Sequence, residues 1–149
     1  MVDRFERFSM AIAAISRYWH RLAAEEMEKF GLQGPHASYL TVIARYPEGI
    51  TVPELCTLCG RDKSDASRML GILEARGLLC RMGEGGRYRA RVALTEAGRA
   101  IAEQVCRRAS RAVEEAGQDL SEAERTAFYR TLDAITARLK QMDREGIPQ

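Results

Sequence analysis

Residues 61–95, RDKSDASRMLGILEARGLLCRMGEGGRYRARVALT, decide the reading of this chain. They read as a helix, a short connection, a strand, a glycine hairpin and a returning strand. Asp62 can cap the helix, because its short carboxylate can accept the free N–H groups of a first turn. Met69, Leu70, Ile72 and Leu73 give the helix an apolar side up to a stop at Arg76-Gly77. Its other side carries Lys63, Ser64, Asp65, Ser67 and Arg68, short polar groups with one long guanidinium, a face able to enter a major groove. Arg68 is the first choice for base recognition, since a guanidinium can donate two bonds to a guanine edge; Lys63 suits a phosphate. Ser64, Asp65 and Ser67 are candidates for neighbouring bases or phosphates, and Asp65 can equally belong to the capping turn of Asp62. In the hairpin, Gly83, Gly85 and Gly86 permit a tight reversal. The return strand carries Arg87, Arg89 and Arg91 at period two, so all three leave from one face, suited to a minor groove or the phosphate backbone. Tyr88, on the opposite side, reads as packing.

The preceding residues complete the unit. Thr51 can cap a helix running through Val52, Leu55 and Leu58 to Gly60, and two short helices so joined, the second polar and basic, form a helix-turn-helix pattern. Each part alone fits an amphipathic helix pair with a hairpin. The three in order, with basic residues gathered on the elements that would touch DNA, point to nucleic-acid binding. The charge distribution agrees: residues 61–95 hold eight basic and four acidic side chains, net +4, in a chain whose total is +2.

The run TVPELCTLCGRDKSDASRMLGILEARGLLCR, residues 51–81, with VALTEAGRAI, residues 92–101, resembles the winged-helix core of the MarR (multiple antibiotic resistance regulator) family of bacterial transcription factors. The resemblance is carried by the spacing from Glu54-Leu55 through Ser67-Arg68 and Leu73-Glu74 to Gly77-Leu78, and by the turn Leu94-Thr95-Glu96-x-Gly98. It extends over nearly the whole chain. It implies a mainly α fold with a small β-hairpin wing, in which a winged helix-turn-helix over residues 35–109 is flanked by dimerisation helices at 1–34 and 110–149, one intertwined unit. It also implies a DNA-binding transcriptional regulator, usually a repressor, modulated by a small, often aromatic or phenolic, ligand held between the dimerisation helices and the winged helix. One departure concerns the wing tip, where the family carries an aspartate two residues before its minor-groove arginine. Here Glu84-Gly85-Gly86-Arg87-Tyr88-Arg89 fills that place without the aspartate, leaving both Arg87 and Arg89 as candidates for the groove.

Outside this core, residues 3–30 read as a long helix whose Phe5, Phe8, Ile12, Ile15, Trp19 and Leu22 alternate at spacings of three and four, a heptad seam. Pro35 can open a second helix, HASYLTVIARY, closed by Pro47, with Tyr39, Leu40 and Ile43 as core. Ile50 can form a short strand beside the wing. Thr95 can cap a fifth helix carrying Ile101, Val105, Ala109 and Val113 to Gly117. Ser121 and Glu124 make a capping box for a sixth, with Phe128, Leu132, Ile135, Leu139 and Met142 on one stripe and fraying after Asp143. A small winged helix cannot cover all these seams. A homodimer can, and it would place two winged helices with two-fold symmetry on a pseudo-palindromic operator of double-stranded DNA. A monomeric bundle packed on itself is the alternative.

Trp19, His20, His36 and Tyr39 are candidate linings for the small effector that the resemblance implies, and each equally fits ordinary interface core. Cys56-x-x-Cys59 has the spacing of a metal or redox pair, but structural zinc needs four ligands and the sequence offers no second cysteine pair, so buried, inert thiols are expected and no metal or cofactor. Some family members sense oxidants through a first-helix cysteine, which this chain lacks. The chain shows no apolar run of membrane-spanning length and no signal-peptide core at its start, so a cytoplasmic location is expected, with reduced thiols. No nucleophile–base arrangement, paired carboxylates or phosphate loop suggests an enzyme. The competing reading is a winged-helix protein-interaction module without specific DNA binding; a third, a small redox enzyme using Cys56 and Cys59, predicts a depressed thiol pKa.

Overall fold

The computed structural model describes residues 3–83 and 90–149. In chain order these form α1 (Arg4–Glu28), α2 (His36–Ala44), β1 (Ile50–Thr51), α3 (Val52–Cys59), α4 (Lys63–Ala75), β2 (Leu79–Met82), β3 (Arg91–Leu94), α5 (Glu96–Ala116) and α6 (Glu122–Glu145). Two compact units result, the first ending at Arg108 and the second running from Ala109 to Gln149.

Short polar side chains set the helix starts. Thr51 Oγ1 accepts from the Glu54 N–H while the Glu54 carboxylate accepts from the Thr51 N–H, so α3 opens on a reciprocal capping box. Asp62 accepts from the Asp65 N–H at 2.8 Å and opens α4. Gly60 ends α3 in the left-handed region (φ 63°), which L side chains enter at a cost. The second helix stops at Ala44 rather than continuing to Tyr46, because the chain must leave helical geometry before Pro47.

The expected strand at Ile50 is present. It pairs antiparallel with β3, giving the order β1-β3-β2 and the register Ile50↔Val92 and Leu79↔Leu94. Ile50, Val92, Leu79 and Leu94 point into one core with Tyr39, Leu40, Ile43, Leu55, Ala66, Met69, Leu70 and Leu73, joined by Met27 from the end of α1 and Ala102 and Val105 from the start of α5. The turn into α5 is built by close approach. Thr95 Oγ1 donates to the Gly77 carbonyl (2.7 Å) and accepts from the Gly98 N–H (3.2 Å), while the Thr95 N–H reaches the Leu78 carbonyl (3.1 Å). A Cβ on Gly98 would collide with that same Leu78 carbonyl, so the position admits only glycine without a backbone shift.

Burial is uneven along α1. Glu26 and Met27 are buried near its end, Glu26 meeting Lys29 (2.6 Å) and, from α5, Gln104 (3.4 Å) and Arg108 (3.6 Å). The seam residues Phe5, Phe8, Ile12, Ile15, Trp19 and Leu22 are instead 41–72 % exposed. In the second unit, Ser121 and Glu124 form the expected capping box, Arg125 donates to the Gly117 carbonyl (2.8 Å), and α6 fully buries none of its residues. Phe128 and Leu139 stand exposed on it, with Leu132, Ile135 and Met142 half-buried.

Candidate nucleic-acid interface

Helix α4 has two sides of opposite chemistry. Ala66, Met69, Leu70 and Leu73 are turned into the core, which leaves Lys63, Ser64, Ser67 and Arg68 exposed on the other side. Asp65 stands between them, and both of its carboxylate oxygens are engaged. Oδ2 accepts from the Tyr39 hydroxyl (2.9 Å), and Oδ1 accepts from Arg68 Nη2 (3.0 Å); Arg61 Nε lies 4.0 Å from Oδ2. The Tyr39 hydrogen bond, with the Arg68 and Arg61 guanidinium groups, holds the Asp65 carboxyl below its ordinary range despite partial burial. Burial and that same carboxylate push the Tyr39 phenol far up, so it stays a neutral donor. The Arg68 side chain remains 58 % exposed, held at its stem yet open to a ligand.

One turn along α4, a second tie comes from α2. The Gln33 N–H donates to His36 Nδ1 (3.0 Å), which puts the imidazole proton on Nε2, and Nε2–H donates to the Met69 carbonyl (3.2 Å). Burial lowers the His36 pKa below 6.5, and the positive Arg68 and Arg76 nearby act in the same direction. His36 and Tyr39, three residues apart on α2, thus meet α4 at positions four apart.

Of the wing arginines, Arg87 and Arg89 lie outside the described residues, as does Tyr88. Arg91 opens β3 opposite Met82 and Thr51, and its Nη1 donates to the Gly49 carbonyl (3.3 Å), tying the strand to the turn before β1. Arg81 is held by Glu74 (2.9 Å), which links β2 to α4, and Arg76 donates to the Phe30 carbonyl (3.0 Å). The structure therefore gathers Lys63, Ser64, Asp65, Ser67 and Arg68 on one helix and joins Arg61 to them, a residue the sequence reading did not single out. Its signal was available: a basic residue just before an N-cap lies within reach of the first helical turn.

The four residues proposed to line an effector site fall into two pairs. His36 and Tyr39 are fully buried beneath α4, whereas Trp19 and His20 are exposed on α1, where His20 Nδ1 lies 3.5 Å from the Ser16 hydroxyl. Cys56 and Cys59 pack against the core half-buried rather than fully buried. Burial raises both thiol pKa values, opposite to what a reactive dithiol needs. Among the described residues no cluster of three or more His, Cys, Asp or Glu could hold a metal ion. No helix among them is long and apolar enough to cross a membrane.

Comparison with known proteins agrees with this architecture. A model of the MarR family matches residues 30–87. A MarR-family transcriptional regulator from Silicibacter pomeroyi is 26 % identical, with a TM-score of 0.78 over 89 % of this chain and 90 % of that one. A MarR transcriptional regulator from Methanosarcina mazei superposes with a TM-score of 0.82 at 22 % identity, covering 95 % of this chain and 94 % of its own. The Staphylococcus aureus MepR–DNA complex shares the fold at 21 % identity and a TM-score of 0.80, over 89 % and 97 % of the two chains. No curated protein sequence matches the chain. The helix-turn-helix region thus matches the MarR family model, and the chain shares its fold with MarR-family regulators along nearly its full length.

Proposed function

We propose that this protein is a transcriptional regulator that reads duplex DNA as a homodimer, with α4 in the major groove. The observation that carries the reading is the division of α4, whose apolar side is consumed by the core while Lys63, Ser64, Ser67 and Arg68 stand exposed beside a carboxylate already paired. The DNA complex of MepR, a protein of the same fold, supports it. Residues 35–109 act as the DNA-binding part, and 1–34 with 110–149 as the dimerisation helices. The exposed seams of α1 and α6 support this division, since a second copy can cover them. Arg87 and Arg89 reach the minor groove or backbone from the wing, and Arg91 braces its base. The protein acts in the cytoplasm as a repressor on a pseudo-palindromic site and performs no catalysis. A small aromatic or phenolic effector weakens binding if it prefers a dimer whose recognition helices are wrongly spaced for successive major grooves.

The test is binding to duplex fragments from the region upstream of the protein's own gene. Phosphate contacts make the affinity salt-dependent, by on the order of a thousandfold between roughly 50 and roughly 200 mM salt for a protein meeting about six phosphates. Arg68→Ala should cost about 1–3 kcal/mol of discrimination between the selected fragment and random duplex. Binding that is indifferent to salt and to Arg68→Ala would favour the protein-interaction module instead.

A further inference from the structure

We propose that Tyr39 is a positioning residue for DNA recognition: from inside the core its hydroxyl fixes the Asp65 carboxylate, which presents the Arg68 guanidinium in the orientation that reads a base. The inference rests on the DNA-reading role given to α4 above. Tyr39 is fully buried on α2 and does not reach the exposed side of α4 itself. Its effect passes through one side chain, with 2.9 Å from its hydroxyl to Asp65 Oδ2 and 3.0 Å from Oδ1 to Arg68 Nη2.

Each link has a physical role. An exposed arginine samples many rotamers, and ordering it on DNA opposes binding; an arginine already held by a carboxylate loses less freedom. Without that hydroxyl the carboxylate could rotate about its side-chain torsions and carry the Arg68 guanidinium out of line with a base. The directional O–H donation from Tyr39 instead fixes one carboxylate oxygen toward the core and leaves the other for Arg68. With Arg61 4.0 Å away, two guanidinium groups surround one carboxylate, so the cluster presents net positive charge to DNA. The His36 bond to the Met69 carbonyl grips α4 one turn further on and fixes the helix's rotation about its axis, which the Tyr39 link alone would not.

Tyr39→Phe keeps the ring in the core and removes only the hydroxyl. It should lower the preference for the selected fragment over random duplex by about fivefold, the worth of one net hydrogen bond, while affinity for random duplex and its salt dependence stay as in wild type. Asp65→Asn should lose selectivity too, and Tyr39→Phe added to it should cost nothing further, because both act through one chain of contacts. A readout independent of DNA accompanies these: the side-chain NMR signals of Arg68 should show restrained guanidinium rotation in the wild type and averaging in Tyr39→Phe. Unchanged selectivity together with unchanged Arg68 signals overturns the proposal. So does a parallel fall in selective binding, random binding and melting temperature, which would mark a merely structural role. If the wild type prefers no duplex, the DNA reading of α4 fails, and the Arg68 signals alone then decide whether Tyr39 positions that guanidinium.

Discussion

Helix α4 buries Ala66, Met69, Leu70 and Leu73 in the core shared with α2, α3 and the sheet, whereas α1 buries only Glu26 and Met27 and α6 buries no residue fully. All three helices carry apolar stripes at helical spacing. The difference lies in whether the same chain supplies a surface to cover them. Around α4 it does, and even the polar atoms there are satisfied: His36 uses both ring nitrogens, and Asp65 both oxygens. Along α1 the stripe from Phe5 to Leu22 is left to a second copy in the reading proposed above. A periodic pattern thus announces that a helix will bury one side, and the surrounding topology determines against what.

This contrast can be broken from either side. The largest effect is expected from Ile15→Glu with Leu22→Glu, which place two carboxylates on the α1 seam. Burying unpaired charge costs several kcal/mol, so dimer dissociation should rise on the order of a thousandfold or more while the winged-helix core keeps its helical circular dichroism. Sedimentation at micromolar concentration checks it; an unchanged dimer would place the contact elsewhere. Leu73→Ala should act on the other region, leaving a cavity in a site without solvent exposure and costing about 2–5 kcal/mol of stability in urea unfolding. A loss near zero would mean that the α4 core is looser than described.

The smallest effect is a pH slope. Burial keeps His36 neutral in the folded chain, with its pKa below 6.5, while in the unfolded chain the ring takes up a proton near pH 6.5. Below that pH the unfolded state binds more protons than the folded one, so stability is full above about 6.5 and declines as pH falls toward the folded value. Melting curves from pH 7 downward should show the decline in wild type and a flatter profile in His36→Asn, whose absolute stability is lower. Parallel profiles would remove His36 from the account.

Much of this architecture could be read from local chemistry. Thr51, Asp62 and Ser121 cap the helices they were expected to cap, the hydrophobic spacing of α4 names its buried side, and Ile50 forms its strand. These are short-range decisions, made by a side chain and the N–H groups two or three residues away. What the sequence did not disclose depends on residues far apart in the chain. Tyr39 and Asp65 are 26 positions apart, and His36 and Met69 are 33 apart; no local pattern says that α2 will lie against α4 with those groups opposed. Tyr39 was accordingly both a core residue and a candidate for an effector site, and only its partner shows what its hydroxyl does. Arg91 shares the period-two spacing of the wing arginines, yet its guanidinium is bound to the Gly49 carbonyl, which spacing cannot foresee. Gly98 stood out as part of a turn motif, and its reason is the Leu78 carbonyl against which α5 starts.

In the reading proposed above the winged helix reads DNA only in pairs, joined through the exposed seams of α1 and α6 and not through α4. The most direct measurement is the mass, by light scattering or sedimentation equilibrium, of the complex formed with the selected duplex. Two chains are expected on each duplex, with the Ile15→Glu, Leu22→Glu variant forming no such complex at the same concentration. One chain per duplex, bound as tightly and as selectively as the wild type binds, would contradict it.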